Sequence, residues 1–149
     1  MKKCVAVLAF LGCVGSAFAA DHWQSQTQFG FSNYIIKNPK QHKLILACNR
    51  NAGMQYEHGV SFLFNQFEYH NTERQSPITL VIDQHLKITP PATTRWRNDA
   101  HTWNRLKDAL AKAQRIDVLL DHVHVSRFEP SKDSINSIAT EIQGCDANS

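Results

Sequence analysis

The sequence predicts an α+β fold: a mainly antiparallel curved sheet or partial barrel with two helices, at about 100–114 and 132–143. Three observations point there. From Phe29 to Ile88 the chain is a series of short runs rich in β-branched and aromatic residues, separated by turn composition. The apolar period then changes, with Trp103, Leu106, Leu110 and Ala113 spaced by three and four. A second stripe of that period, Ile135, Ile138 and Ile142, comes near the end. A β-sandwich is the alternative, and it requires both helices to be absent.

Each element has its own justification. Phe29 to Ile36 reads as a strand that stops at Asn38-Pro39, a turn signal. Leu44 to Cys48 is a short apolar run ended by Asn49-Arg50-Asn51-Ala52-Gly53. Val60 to Phe67 is a third strand, with Phe62 and Phe64 on one face and Leu63 on the other. Ile78 to Ile82 follows, and Asp83-Gln84 turns it into Leu86 to Ile88 before Pro90-Pro91 ends the ladder. Asp99 is the expected N-cap of the first helix, with Lys112 and Arg115 at its C-terminal end, where the dipole favours cations. Ile116 to Val125 returns to strand character. The last helix starts near Ser131, carries Asp133 in its first turn and is capped by Gly144. The short connections between strands make the sheet antiparallel.

Residues 1–20 read as a bacterial-style secretory signal and 21–149 as one globular domain. Lys2 and Lys3 form the basic start, Cys4 to Val14 the apolar run, and Ala17 and Ala19 the small-x-small pattern for a cut after Ala19 or Ala20. The run falls short of the ~20 apolar residues a membrane span needs, and nothing later approaches that length. Phe10-Leu11-Gly12-Cys13 is a partial lipoprotein pattern, so lipidation at Cys13 is the lesser alternative. The expected address is therefore periplasmic or secreted.

Cleavage leaves Cys48 and Cys145 as the mature chain's only cysteines, and an exported chain with two is expected to pair them. The bond pins the last helix to the Leu44–Cys48 strand. Neither cysteine has a redox or hydrolase context. Losing Lys2 and Lys3 takes Lys+Arg from 16 to 14 against 13 Asp+Glu, a net of +1, so no general nucleic-acid footprint remains.

Candidate chemistry is sparse. On one strand, His122 and His124 would share a face about 7 Å apart, and a metal could use them if other ligands converged. The preferred reading is a half-exposed strand, with Val123 and Val125 buried and His122, His124 and Ser126 outside. Glu57-His58 and Glu68-Tyr69-His70 offer acid–base groups, of which only Glu68 and His70 share a face; no nucleophile accompanies them. Arg95-Trp96-Arg97 is the most distinctive short segment, because Arg and Trp are enriched at binding hot spots. Its plainer alternative has Trp96 in the core and both arginines solvated. There is no P-loop, Gly-x-Ser-x-Gly elbow or His-Glu-x-x-His.

The layout resembles the invasion-associated locus B-like proteins and the VasI-like accessory proteins of type VI secretion. The shared positions are Trp23, then Leu44, Leu46 and Cys48, a basic segment from Arg95 to Asn98, and the stripe Trp103, Leu106, Leu110 and Ala113. The strand Ile116–Val125, Phe128, the helix Ser134–Ile142 and Cys145 complete the outline. The glycine often found just after the late Phe is missing. The resemblance implies a β-rich, non-enzymatic exported protein and supplies no catalytic residue.

The resulting expectation is an exported interaction domain without cofactor, stabilised by Cys48–Cys145 and presenting Arg95, Trp96 and Arg97 to another envelope, secretion-system or secreted protein. A periplasmic enzyme inhibitor or immunity protein is one alternative. A metal-binding protein or metal-dependent enzyme using His122 and His124 is another.

Overall fold

The computed structural model describes residues 20–73 and 77–147. The export signal, with Cys4 and Cys13, lies outside the described residues apart from Ala20. The α+β class holds, with nine strands in two antiparallel sheets and two helices among the described residues. The mainly antiparallel strands with two helices are as expected, and they divide into two sheets, neither of them closed into a barrel.

The first sheet is a meander in chain order: β1 (His22–Gln28), β2 (Phe31–Lys37), β3 (Lys43–Asn49), β4 (Gly59–Phe64) and β5 (Phe67–His70). The second has the order β7-β6-β8-β9, from β6 (Ile78–Ile82), β7 (Leu86–Ile88), β8 (Ile116–Leu120) and β9 (Val123–Phe128). Helix α1 (Arg97–Leu110) joins β7 to β8, and α2 (Lys132–Gln143) ends the fold. Among the described residues no helix is long and apolar enough to cross a membrane.

The hairpins explain where the sequence reading and the structure part. Phe29-Gly30, Asn65-Gln66 and Asp121-His122 are two-residue loops with both φ angles positive, the type I′ geometry that matches strand twist. Asn65-Gln66 therefore divides the expected Val60–Phe67 strand, and Asp121-His122 divides Ile116–Val125. Neither loop has a glycine, the usual sign of such a turn, so both read as strand. Strand β1 escapes the sequence reading because its Gln/Ser/Thr run has no apolar alternation.

Helix α1 starts at Arg97, three residues before the expected start, and ends at Leu110. Trp96 occupies the N-cap position in extended conformation without a side-chain cap, and Asp99 sits in the first turn, where it still favours the dipole. Lys107 is the cation of the last turn, while Lys112 and Arg115 lie beyond the helix. Helix α2 matches the expected 132–143, with Ser131 Oγ accepting from Ser134 N–H and Gly144 as C-cap.

One core joins the layers. Trp103, Leu106 and Leu110 of α1 and Ile138 and Ile142 of α2 pack with Tyr34, Ile36, Leu44, Leu46 and Phe62 of the first sheet and Leu80, Val118 and Phe128 of the second. Phe62 meets Phe128 edge-on at 6.4 Å. Beside them a buried polar knot ties the sheets: Asn38 Nδ2 donates to Ser126 Oγ (3.0 Å) and to Arg127 O, and Ser126 Oγ lies 2.9 Å from His42 Nδ1. Burial, with help from Lys40, lowers the His42 pKa.

Candidate functional site

Cys48 and Cys145 form a disulfide, with Cα atoms 5.6 Å apart across 97 residues of sequence, and both side chains are buried. The bridge joins the end of β3 to the chain just after α2, as the cysteine count implies. Around it the β3–β4 loop is fastened on every side. Gly30 O accepts from Arg50 N–H and Asn51 N–H. Gly30 suits this role because its φ is +82°, and a Cβ there would lie 2.5 Å from Ala52 N. Asn49 holds the loop from inside, donating to Gly53 O and Tyr56 O and accepting from Ala52 N–H. Arg50 donates to Glu141 O and Gly144 O, placing a cation on the orphan carbonyls at the end of α2.

Glu57 and His58 face apart, as neighbours in extended chain do. Glu57 accepts from Thr93 Oγ1 (2.6 Å) and Thr94 N–H and pairs with Arg95 Nε at 2.6 Å. Burial pushes this carboxyl up, but the Thr93 and Thr94 hydrogen bonds and the Arg95 charge outweigh it and hold the pKa below the usual range. His58 stacks on Trp103 at 5.1 Å, accepts from Asn49 N–H at Nδ1 and reaches Asp146 O with Nε2. Burial lowers its pKa, partly offset by Asp146. Both residues are thus committed to fastening the loop. Glu68 and His70 do share a face, 3.8 Å apart on the exposed edge strand β5.

Arg95-Trp96-Arg97 is not a strand. Arg95 also donates to Gln55 O, so one of the two expected free guanidiniums is bound to the loop. Trp96 is 70 % exposed, which overturns its plainer placement in the core. Arg97 opens α1 and is exposed. Met54 on the adjoining loop is 99 % exposed, and Tyr56 is more than half exposed. Beneath them runs an open cleft of about 520 Å³ whose walls include Met54, Tyr56, Glu57, His58 and Arg95. Tyr56 also walls a second, more apolar cleft of about 640 Å³ with Phe29, Phe31 and Ala52, and meets the Phe31 ring edge-on.

The histidine pair is taken apart. His122 lies in the hairpin turn with φ of 70°, while His124 is in β9 and places Nε2 2.8 Å from Asp117 Oδ1. A bulge between Val118 and Leu119 shifts the register. Val123 is exposed and Ser126 buried, the reverse of the expectation for these two, while His122 and His124 are exposed and Val125 packs against the core as expected. Asp117, 7 % exposed at its side chain, accepts from Arg115, Arg127 and His124. Burial raises its pKa, but the hydrogen bonds from Arg127, Arg115 and His124 outweigh this and lower it. Among the described residues the three donor side chains that converge are Cys48, His58 and Cys145, and both sulfurs are engaged in the disulfide.

Fold and site together define a small disulfide-stapled α+β domain with a braced, aromatic-bearing loop face. The chain belongs to the YfjT family, which matches residues 21–138. It is 21 % identical over 125 residues to "Uncharacterized protein YfjT" of Escherichia coli (strain K12), covering 83 % of this chain and 81 % of that protein. No solved structure matches.

Proposed function

We propose that this protein is an exported, non-enzymatic binding domain of the bacterial envelope or of a secretion system, and that Trp96 with the β3–β4 loop is its contact face. The observation that carries the reading is the exposure of Trp96 and Met54 on segments locked together by Glu57 and Arg95. A large apolar side chain in water on a braced scaffold binds with little ordering cost, which is the character of a hot spot. The export half rests on residues 1–20, on a family match that begins at Asp21, and on the buried disulfide. The likeness in layout to invasion-associated locus B-like and VasI-like proteins belongs to the same proposal. The partner is another envelope, secretion-system or secreted protein. Glu57, His58, Glu68 and His70 fit fastening or surface roles, which favours binding over catalysis.

The test is site-specific photocrosslinking in the periplasm, with the reactive residue at position 96 and, as control, at exposed Gln114. A discrete heavier species formed from position 96 and absent from 114 supports the reading. The same products from both positions, or none, sink it. With the reactive residue placed at exposed Met54 instead, Trp96→Ala should abolish the crosslink while changing stability by less than ~0.5 kcal/mol, since the Trp96 side chain is exposed.

A further inference from the structure

We propose that β1 is a self-pairing edge through which two copies of this chain join their first sheets in antiparallel register. The argument starts from where the backbone hydrogen bonds of β1 go. Asp21 N–H donates to Glu129 O, Asp21 O accepts from Ser131 N–H, and Trp23 N–H donates to Ser134 Oγ. Odd-numbered residues of β1 therefore point their backbone groups away from β2, and the segment at the start of α2 covers this outer edge as far as Trp23. The next two outward residues, Ser25 and Thr27, have no partner on their backbone groups among the described residues. Gln24 to Gln28 are exposed on both faces of the strand.

The other sheet edges carry the usual guards against such pairing. Strand β5 has Glu68 and His70, β7 has Lys87, and β9 has His124 and Arg127. Gln24-Ser25-Gln26-Thr27-Gln28 has no charge and no proline, and its register with β2 has no bulge. An uncharged amide and hydroxyl run suits a second copy of itself. In a two-fold antiparallel pair centred on Gln26, Ser25 of each copy faces Thr27 of the other. Those two pairs exchange four backbone hydrogen bonds. Gln26 faces its own copy, and a carboxamide, with donor and acceptor, complements itself. The same register carries Phe29, 86 % exposed at the hairpin tip, to the Trp23 end of the opposite strand, next to the first turn of α2. The product is one continuous ten-stranded sheet, with the Trp96 faces of both copies left free.

The mature protein purified from the periplasm provides the test. In sedimentation equilibrium its weight-average mass should rise from one chain toward two between about 10 µM and 1 mM, the range of a small, weak interface. Gln26→Lys opposes two like charges across the two-fold and should weaken pairing about tenfold with the melting temperature unchanged. Gln26→Cys sits in the close, non-hydrogen-bonded pair, at a Cα spacing of about 4.5 Å that a disulfide accepts. Mild oxidation should join it to its own copy, leaving Cys48–Cys145 intact by peptide mapping. Gln24→Cys faces Gln28 of the other copy and should not join. A single-chain mass at 1 mM, an unaltered mass curve for Gln26→Lys, or equal joining by both cysteine variants overturns the proposal. Dimerisation through any other surface would give the second of these results.

Discussion

Replacing Cys48 and Cys145 together by alanine removes a bridge across 97 residues of sequence, most of the domain. In the chain-entropy account, a loop of that length restricts the unfolded chain by about 4.7 kcal/mol at 25 °C. The native surroundings add to this, because both cysteines are buried, with Cys145 Sγ 3.5 Å from His58 Nδ1, and small voids replace their sulfurs. With a urea m-value near 2 kcal/mol/M, typical of small domains, the midpoint should fall by about 2 M. Unfolding followed by tryptophan fluorescence reads this directly, because Trp103 lies at the bridge and donates to Cys145 O. The m-value should also rise, since the unfolded chain without the bridge expands and exposes more surface. A midpoint shift under ~0.5 M would refute the reasoning. A large shift at constant m would move the effect to the folded state and refute its entropic part.

Asp117→Asn leaves Arg115, Arg127 and His124 facing an uncharged amide at a buried position and should cost about 1–3 kcal/mol, the lower part of the range for a broken buried pair because its partners reach solvent. The folded pKa of Asp117 lies below its ordinary 3.8, so its contribution is present above that value and is lost as pH falls through the folded pKa. Thermal melts between pH 7 and pH 2 should show parent and variant converging only at the acid end; a constant gap down to pH 2 counts against the assignment. Gly30→Ala forces an αL alanine against Ala52 and should destabilise by roughly 2 kcal/mol or more. His122→Gly should stabilise by about 0.5 kcal/mol, since glycine suits the second position of a type I′ turn, and a loss of melting temperature there would argue against the turn.

Much of this molecule is legible in its residues, and the illegible parts share a cause. Ser131, Ile135, Ile138, Ile142 and Gly144 state α2 completely, because caps and a 3.6-residue stripe are local signals. The hairpin at Asp121-His122 is hidden because tertiary twist imposes positive φ on residues that do not advertise it. With the bulge at Val118/Leu119, Val123 is exposed and Ser126 buried against expectation, while His122 and His124 stay outside as expected. Arg95-Trp96-Arg97 stands out as composition, but its placement before a helix and its tie to Glu57 depend on a loop 36 to 38 residues earlier in the chain.

The sequence by itself determined the α+β class, both helices and the pairing of Cys48 with Cys145, because period, capping and cysteine number act within a few residues or by simple count. Tertiary structure alone decided that the strands form two sheets, that Trp96 faces water, that Asp117 collects three donor side chains, and that among the described residues the outer edge of β1 has no partner from Ser25 onward. Each of these depends on which distant backbone or charge satisfies a given group, and that partner is set only when the layers close on one another.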